Sequence, residues 1–326
     1  MKILRATHLG MCFGVRDAIA LALHEATRRP VTILGDLVHN PTVLGALRAQ
    51  GIQTAQEVHQ VRTAHILITA HGASDRRLDA LRTRGLTVVE ATCPLVRAAH
   101  QTVAALARNG YHPLIIGRRE HVEVRGLTED LEQFDVALDA ADIARLPERA
   151  RWGVVAQTTQ PIDRVRHLVS VLRQQFPRSE VKFVDTVCQP TKLRQSAAVE
   201  LAQQCDAVVV VGGAESNNTR ELMATCERYG ARVHHVQCGG DLQPHWFAGM
   251  GTVGLTAGTS TPDAVIDEVE RRLREWVAQA GMAETVAAAE PVAGFAEAAV
   301  ADPGYRPDGL LARSRGRAAA EVLQDA

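Results

Sequence analysis

The sequence has no C-x-x-C pair, few aromatic residues and no long apolar run. Cysteines paired at that spacing mark most zinc ribbons and ferredoxin-type clusters, so local spacing indicates neither kind of site. Aromatic residues make up only 4% of the chain, which argues against a base-stacking surface for single-stranded nucleic acid. No stretch approaches the ~18 consecutive apolar residues of a membrane span, and the N-terminus lacks a signal-peptide core. We therefore expect a soluble cytoplasmic protein with no nucleic-acid or membrane partner.

An excess of charge of either sign is also missing. The chain has 36 Lys and Arg against 37 Asp and Glu, a formal net charge of -1, which argues against a protein that coats polyanions. Small anionic ligands stay possible, because a local cluster of donors is enough to bind them. A chain of this length in a reducing cytosol favours free, buried or metal-bound thiols over disulfides. The cysteines are Cys12, Cys93, Cys188, Cys205, Cys226 and Cys238.

Short β-branched runs alternate with segments of helical periodicity along most of the chain. This alternation predicts α/β units built on mostly parallel sheets. From about residue 276 alanine dominates and periodicity weakens, so residues 277–326 are predicted to form a mobile tail. The predicted strands are Lys2–Ala6, Val31–Leu34, His65–Thr69, Thr87–Glu90, Pro113–Ile116, Gly153–Ala156, Val181–Asp185, Ala207–Val211, Arg232–Val236 and Thr252–Thr256.

An internal repeat underlies this alternation. Three segments share the order strand, glycine, loop, polar residue and helix, with His39, His121 and Ser216 each four positions after the glycine. Each repeat also contains a second polar loop after a later strand, and a segment that ends in a cysteine. These features recur in the same order in all three repeats. We predict three similar α/β units, residues 1–93, 94–188 and 189–276, around a central cleft.

The repeat places three of the six cysteines at equivalent positions. Cys12, Cys93 and Cys188 follow predicted strands at equivalent places, whereas Cys205 and Cys226 lie on helix-like segments where core packing is the simpler interpretation. Three thiolates would leave one iron of a cubane iron–sulfur cluster without a protein ligand and open to substrate. A zinc ion held by three thiolates with an open fourth position fits the spacing equally well.

The polar residues of the other loops suit a diphosphate. Loops at the carboxyl ends of parallel strands form the ligand crevice of α/β sheets, and helix N-termini there offer free N–H groups to anions. Each residue alone has a simpler interpretation, such as a helix cap or a surface histidine. Together the candidate donors are His39, His71, His121, Thr158, Ser216, Asn218 and Ser260.

Glu123 lies two residues after His121, so an acid stands among donors for an anion. It is either a proton donor or an acid in the first turn of a helix, where the helix dipole favours it. The residues alone leave both interpretations open.

Six short blocks occur in a fixed order: Cys12-Phe13-Gly14-Val15, Val38-His39-Asn40, Ala70-His71-Gly72, Ala91-Thr92-Cys93-Pro94-Leu95-Val96, Gln157-Thr158-Thr159 and Thr256-Ala257-Gly258. With these blocks the sequence resembles the LytB/IspH family of 4-hydroxy-3-methylbut-2-enyl diphosphate reductases over roughly residues 1–276. The block around Cys93 is the most specific of the six.

The resemblance implies a pseudo-threefold trefoil around a [4Fe–4S] cluster ligated by Cys12, Cys93 and Cys188. It also implies a reductive dehydroxylation, in which two electrons and two protons convert the hydroxylated diphosphate to isopentenyl and dimethylallyl diphosphate. A ferredoxin or flavodoxin-type donor would supply the electrons. Glu123 matches the acid that delivers the proton, and Thr158 the position that contacts the hydroxyl. The implied diphosphate ligands are His39, His71, His121, Ser216, Asn218 and Ser260, with Asn217 where the family often has another serine.

The sequence departs from the family pattern at a few positions. Val122 replaces the proline that usually follows the loop histidine, His8 lies in an altered segment before the first cysteine, and Leu193 replaces an asparagine. Every implied ligand and the acid are retained. The alternative to a reductase is a divergent relative that senses through an iron–sulfur cluster or binds a diphosphate without catalysis.

Overall fold

The computed structural model describes residues 1–279 and 285–288 of the chain. These residues fold into parallel β-sheets flanked by helices. In chain order the strands are β1 (Lys2–Arg5), β2 (Val31–Leu34), β3 (Gln53–Ala55), β4 (His65–Ile68), β5 (Thr87–Glu90), β6 (His112–Ile116), β7 (Asp135–Ala137), β8 (Arg151–Ala156), β9 (Glu180–Phe183), β10 (Ala207–Val211), β11 (Arg232–Val236), β12 (Thr252–Ala257) and β13 (Thr285–Ala288). Every predicted strand is present within two residues of its expected bounds.

The helices lie between these strands and on both sides of the sheets. They are α1 (Phe13–Arg28), α2 (Pro41–Ala49), α3 (Asp75–Thr83), α4 (Pro94–Arg108), α5 (Val122–Glu129), α6 (Ala140–Ala144), α7 (Ile162–Gln175), α8 (Gln189–Gln204), α9 (Asn217–Arg228) and α10 (Asp263–Gln279), with short 3₁₀ turns at Val58–Gln60, Gly239–Asp241 and Pro244–Phe247. Within the described residues no helix is both long and apolar enough to cross a bilayer.

The three sheets repeat one strand order. They run β3–β2–β4–β5, β7–β6–β8–β9 and β11–β10–β12–β1–β13, and all of these pairings are parallel. The central strands are buried on both faces, and every residue of β10 has an exposed fraction of 0%. Continuous apolar runs are typical of strands covered by helices on both faces. The prediction of three similar α/β units in a trefoil is confirmed.

The first strand belongs to the third sheet, not to the first. β1 pairs with β12, from Lys2 opposite Thr252 to Arg5 opposite Leu255. The side chain of Ile3 is fully buried in the core of that sheet. The predicted unit of residues 1–93 therefore differs from the observed sheet at its start, because its first strand completes the sheet of the third unit.

The end of the described chain adds one more strand to this sheet. β13 pairs with β1 on the side opposite β12, although its residues fall inside the predicted tail. The helix α10 also continues to Gln279, past the predicted start of the tail. Residues 280–284 and 289–326 of the predicted tail lie outside the described residues.

With β1 in this place, the three predicted cysteines become structurally equivalent. β1, β5 and β9 occupy matching positions in their sheets, and each leads to a cysteine that is the N-cap of a long helix: Cys12 for α1, Cys93 for α4 and Cys188 for α8. Each cysteine N–H donates to a carbonyl in the loop after the neighbouring strand, Thr259 at 2.9 Å, Ala70 at 3.0 Å and Thr158 at 3.0 Å respectively. The repeated hydrogen bond places the three thiols at matching positions.

Candidate active site

A cavity is lined by residues from the loops of all three sheets. The loops that follow parallel strands and the N-termini of the next helices surround it, as expected for α/β sheets. The structure brings together in this cavity every residue that the sequence predicted for the site: Cys12, Cys93, Cys188, His39, His71, His121, Glu123, Thr158, Ser216, Asn217, Asn218 and Ser260.

Two of the thiols, those of Cys93 and Cys188, lie in surroundings that disfavour the free thiolate but can stabilise a bound one. Burial raises the pKa of Cys93 to about 11 and that of Cys188 to about 12, so both are protonated at neutral pH when no metal is bound. Each also caps a helix N-terminus, whose partial positive charge stabilises an anion there. Metal coordination would remove the thiol protons, as it does in other cysteine sites.

The spacing of the thiols does not suit a single ion. Among the described residues, only His39, His71 and His121 form a trio of potential ligands whose atoms lie within 4.8 Å of one another. A tetrahedral zinc ion with Zn–S bonds of about 2.3 Å would bring its sulfurs to about 3.8 Å from one another. The three cysteine sulfurs are not all within 4.8 Å of one another, so at least one pair is farther apart than a zinc ion would hold it.

Gly14, in the first turn of α1, allows this helix to approach the Cys93 thiol closely. A Cβ atom at Gly14 would lie 2.5 Å from Cys93 Sγ, far inside van der Waals contact. The absence of a side chain at Gly14 therefore leaves room for the Cys93 thiol.

Three histidine rings form a second group in the cavity. The centroids of His39 and His71 are 4.4 Å apart in a stacked pair, and His121 meets them edge-on at 5.4 and 5.5 Å. Burial lowers the pKa of His39, lowers that of His71 well below its usual range, and lowers that of His121 to about 3. In the absence of a ligand all three rings are neutral at physiological pH.

Hydrogen bonding makes His121 a donor toward the cavity. Its Nδ1 accepts the backbone N–H of Glu123 at 3.1 Å, so the proton of the neutral ring is on Nε2. A ring in this tautomer offers an N–H to an anion and no lone pair to a metal ion. The histidine trio therefore fits an anion better than a cation.

Two buried polar atoms in this region have no partner among the described residues. They are Nδ1 of His71 and Nδ2 of Asn218, whose Oδ1 accepts the Thr259 N–H at 2.9 Å. Unpaired buried polar groups are rare in native proteins and cost about 1–3 kcal/mol each. A ligand with several acceptor oxygens would satisfy the Asn218 donor and, in the suitable tautomer, the His71 donor.

The remaining predicted donors differ in whether their hydrogens already have an acceptor within the protein. Ser216 caps α9 by accepting the Thr219 N–H at 3.3 Å, so its hydroxyl proton is still available. Ser260 donates to the His39 carbonyl at a long 3.4 Å. Asn217 is engaged on both sides of its amide.

Asn217 joins the second and third units at the edge of the cavity. Its Oδ1 accepts from Nε of Arg118 at 2.9 Å, and its Nδ2 donates to Oγ1 of Thr159 at 3.0 Å. Its Nδ2 also lies 3.3 Å from the Thr159 carbonyl, so its N–H groups already have acceptors and the predicted contact with a substrate stays a prediction.

Glu123 is a buried acid held by one neighbouring residue. Its carboxylate oxygens accept the backbone N–H of Thr158 at 2.6 Å and the Thr158 hydroxyl at 3.0 Å. Burial, with an exposed fraction of 1%, raises the pKa of Glu123 to about 7, and the two Thr158 hydrogen bonds oppose this shift. A substantial fraction of the molecules hold a proton on Glu123 at neutral pH.

Sequence reasoning missed three threonines that line the cavity, Thr159, Thr191 and Thr259. The hydroxyl of Thr191 lies 3.1 Å from Cys188 Sγ, one helical turn from that cysteine. Its position three residues after an N-cap cysteine was the available signal. Thr159 and Thr259 each adjoin a predicted residue, so their loops were identified but the residues were not.

Comparisons with known proteins agree on one family. The family described as LytB protein matches residues 3–274 of this chain. A 4-hydroxy-3-methylbut-2-enyl diphosphate reductase from Trichlorobacter lovleyi is 36% identical over 275 residues, which cover 84% of this chain and 98% of the relative. The enzyme of the same name from Aquifex aeolicus is 35% identical over 282 residues, with 84% and 96% of the two chains covered.

Solved structures are similar over the same part of the chain. One is (E)-4-hydroxy-3-methyl-but-2-enyl diphosphate reductase, described as the terminal enzyme of the non-mevalonate pathway. It has a TM-score of 0.61 and 34% identity over 84% of this chain and 99% of its own. The E-1-hydroxy-2-methyl-but-2-enyl-4-diphosphate reductase from Plasmodium falciparum has a TM-score of 0.79 and 25% identity, with 89% and 93% covered. The chain therefore belongs to the LytB protein family.

Proposed function

We propose that this protein reduces 4-hydroxy-3-methylbut-2-enyl diphosphate to isopentenyl and dimethylallyl diphosphate, the last step of the non-mevalonate isoprenoid pathway. The reaction adds two electrons and two protons and releases the hydroxyl group as water. The observation that carries the proposal is a buried acid, Glu123, in one cavity with three equivalent thiols and a cluster of neutral histidines. Family membership supports the same activity.

Cys12, Cys93 and Cys188 are proposed to hold a [4Fe–4S] cluster. The residues fit this group because they are equivalent, lie too far apart for one ion, and cap helices whose N-termini favour negative charge. When bound, such a cluster supplies electrons and Lewis acidity to the substrate. A zinc hydrolase built on the same thiols is the poorer interpretation, since its sulfurs would have to lie closer together.

The histidine cluster is proposed to bind the diphosphate. Neutral imidazoles can donate N–H groups, and a bound dianion would raise their pKa and turn them into cationic partners. The unpaired Asn218 Nδ2 and the Ser216 hydroxyl add neutral donors around the same space, and Ser260 could join them by giving up its long hydrogen bond to the His39 carbonyl. Several donors thus replace the lysines and arginines that a diphosphate site would otherwise need.

Glu123 is proposed to deliver the proton with which the hydroxyl leaves. Hydroxide is a poor leaving group, so an acid is needed beside it, and a pKa of about 7 keeps a proton on Glu123 at working pH. Thr158 donates its backbone and side-chain hydrogens to the same carboxylate and so holds it in one orientation. A ferredoxin or flavodoxin-type donor and a cytoplasmic location remain predictions.

Anaerobic turnover of the hydroxylated diphosphate tests the proposal directly. We expect brown protein that consumes the substrate with a reduced dye as electron source and forms both C5 diphosphates, with about four irons per chain expected for a cubane. Iron content and product are measured on the same sample. Iron-loaded protein without turnover would favour the sensor alternative, and colourless zinc-loaded protein would contradict the cluster.

The assignment of the thiol ligands predicts that two buried cysteines behave differently. Cys188→Ala should lose most of its iron because the cluster loses one of its protein ligands. Cys205→Ala should keep its iron, since Cys205 is buried in the core formed with Leu201 and Val208. Iron per chain after identical anaerobic reconstitution is the measurement, and equal loss in the two variants would contradict the ligand set.

For the proton role we expect Glu123→Gln to load cluster and bind substrate while turnover falls by ~10²–10⁴-fold. Glutamine keeps the shape and can still accept the Thr158 N–H, while its amide nitrogen would donate to the Thr158 hydroxyl oxygen, and it has no acidic proton to deliver. The exposed Glu120→Gln in the same loop is the matched control and should retain activity. Near-normal turnover of Glu123→Gln would remove Glu123 from this role.

Thr158→Val should move the pH dependence of the reaction. Its hydroxyl donates to Glu123 and lowers the pKa of that acid, so its removal should raise the pKa further above about 7. Because the protonated acid is the active form, kcat/KM of the wild type should fall as the pH rises through the pKa of Glu123. In the variant the same fall should occur at a higher pH. An unchanged alkaline limb in Thr158→Val would show that Glu123 does not determine it.

A further inference from the structure

Arg194 lies on α8, six residues after Cys188, and its side chain is buried with an exposed fraction of 8% for the residue. Its Nε and Nη2 both donate to the carbonyl of Gly10, at 2.9 and 2.7 Å. Its Nη1 donates to the carbonyl of Pro190 at 2.9 Å. One guanidinium therefore joins the loop two residues before Cys12 to the helical turn two residues after Cys188.

The Gly10 carbonyl is held in place for this contact. Gly10 has a positive φ of 73°, and its N–H donates to the carbonyl of Ala257 at 3.1 Å. A Cβ atom at Gly10 would lie 2.7 Å from Cδ1 of Ile266, so the loop fits only with glycine here. The loop that leads to Cys12 is thus fixed on one side by the third sheet and on the other by Arg194.

No carboxylate balances this buried charge. All three hydrogen bonds of Arg194 go to neutral carbonyls, and it forms no ion pair with any described residue. Burial lowers the pKa of the guanidinium, ionised Cys12 and Cys188 would raise it, and Arg16 lowers it. Burying a cation without a counter-ion is costly, so the natural counter-ion is an anionic group held by those two cysteines.

We propose that Arg194 is a positioning residue that joins the Cys12 loop to the Cys188 helix and raises the reduction potential of the cluster held there. This inference rests on the proposed function. A reduced cluster carries one more negative charge than an oxidised cluster, and a fixed positive charge in a low-dielectric interior stabilises the reduced form. Surrounding charge is one of the means by which a protein tunes such a centre.

Three variants separate the charge from the hydrogen bonds. Arg194→Lys keeps the positive charge but cannot donate to both carbonyls from one plane, whereas Arg194→Gln and Arg194→Met are neutral. We expect the midpoint potential of the anaerobic holoenzyme to shift to more negative values in both neutral variants. In Arg194→Lys it should stay close to the wild-type value. An anaerobic redox titration followed by electron paramagnetic resonance measures the potential.

A second measurement does not depend on the potential. Cluster loading should raise the melting temperature more in the wild type than in Arg194→Met, because the cluster supplies the counter-ion only where the cation is present. Apo and reconstituted samples of each protein are compared by calorimetry, so a general loss of stability in the variant cancels. Arg29→Met, at the far end of the helix that Cys12 caps, is the matched control and should leave both quantities unchanged.

Each outcome decides for or against the proposal. Equal potentials in the wild type and in both neutral variants would overturn it, as would an equal gain in melting temperature on loading. Loss of folding in both neutral variants would assign Arg194 to the fold alone and would also overturn it. Wild-type protein that holds a cluster but does not turn over substrate would contradict the proposed function. The midpoint potentials of the wild type and the variants could still be compared in that case.

Discussion

The hydrogen bond from each cysteine N–H to the loop of the neighbouring strand determines how the site is arranged. It occurs three times, at 2.9 to 3.0 Å, with Thr259, Ala70 and Thr158 as acceptors. The accepting loops also carry Ser260, His71 and the Thr158 side chain, so the backbone of each cysteine is hydrogen-bonded to a loop that contributes a polar group to the cavity. The distance between the proposed electron source and the proposed diphosphate site is therefore set by the backbone.

One physical effect, the removal of water, prepares both the acid and the anion donors. Burial raises the pKa of Glu123 to about 7 and lowers that of His121 to about 3, so the acid retains a proton and the rings remain neutral. The two residues are two positions apart and share a hydrogen bond from the Glu123 N–H to the His121 ring. This bond also begins α5 without the proline usual in the family, since His121 caps the helix in front of Val122.

The positions of most strands along the chain and most residues of the site could be predicted from the sequence, because apolar periodicity and the repeat report local structure. β3 and β7 have three residues each, too few for a periodic pattern to appear. The pairing of β1 with β12 joins two segments that are far apart in the sequence. No local pattern carries information about such a contact. Likewise, the role of Asn217 depends on Arg118 and Thr159, which come from a different unit.

The place of β1 has a consequence for how the protein matures. Cys12 is synthesised early, but the partner of its backbone N–H is Thr259, and the strand before it pairs with β12. The first and second sheets contain only strands that are near one another in sequence, so they can form while the chain is still being made. The acceptor of the Cys12 N–H is missing until Thr259 has been translated, so the Cys12 thiol cannot take its place in the site before then. Insertion of the proposed cluster, which would need all three cysteines, would therefore follow the pairing of β1 with β12.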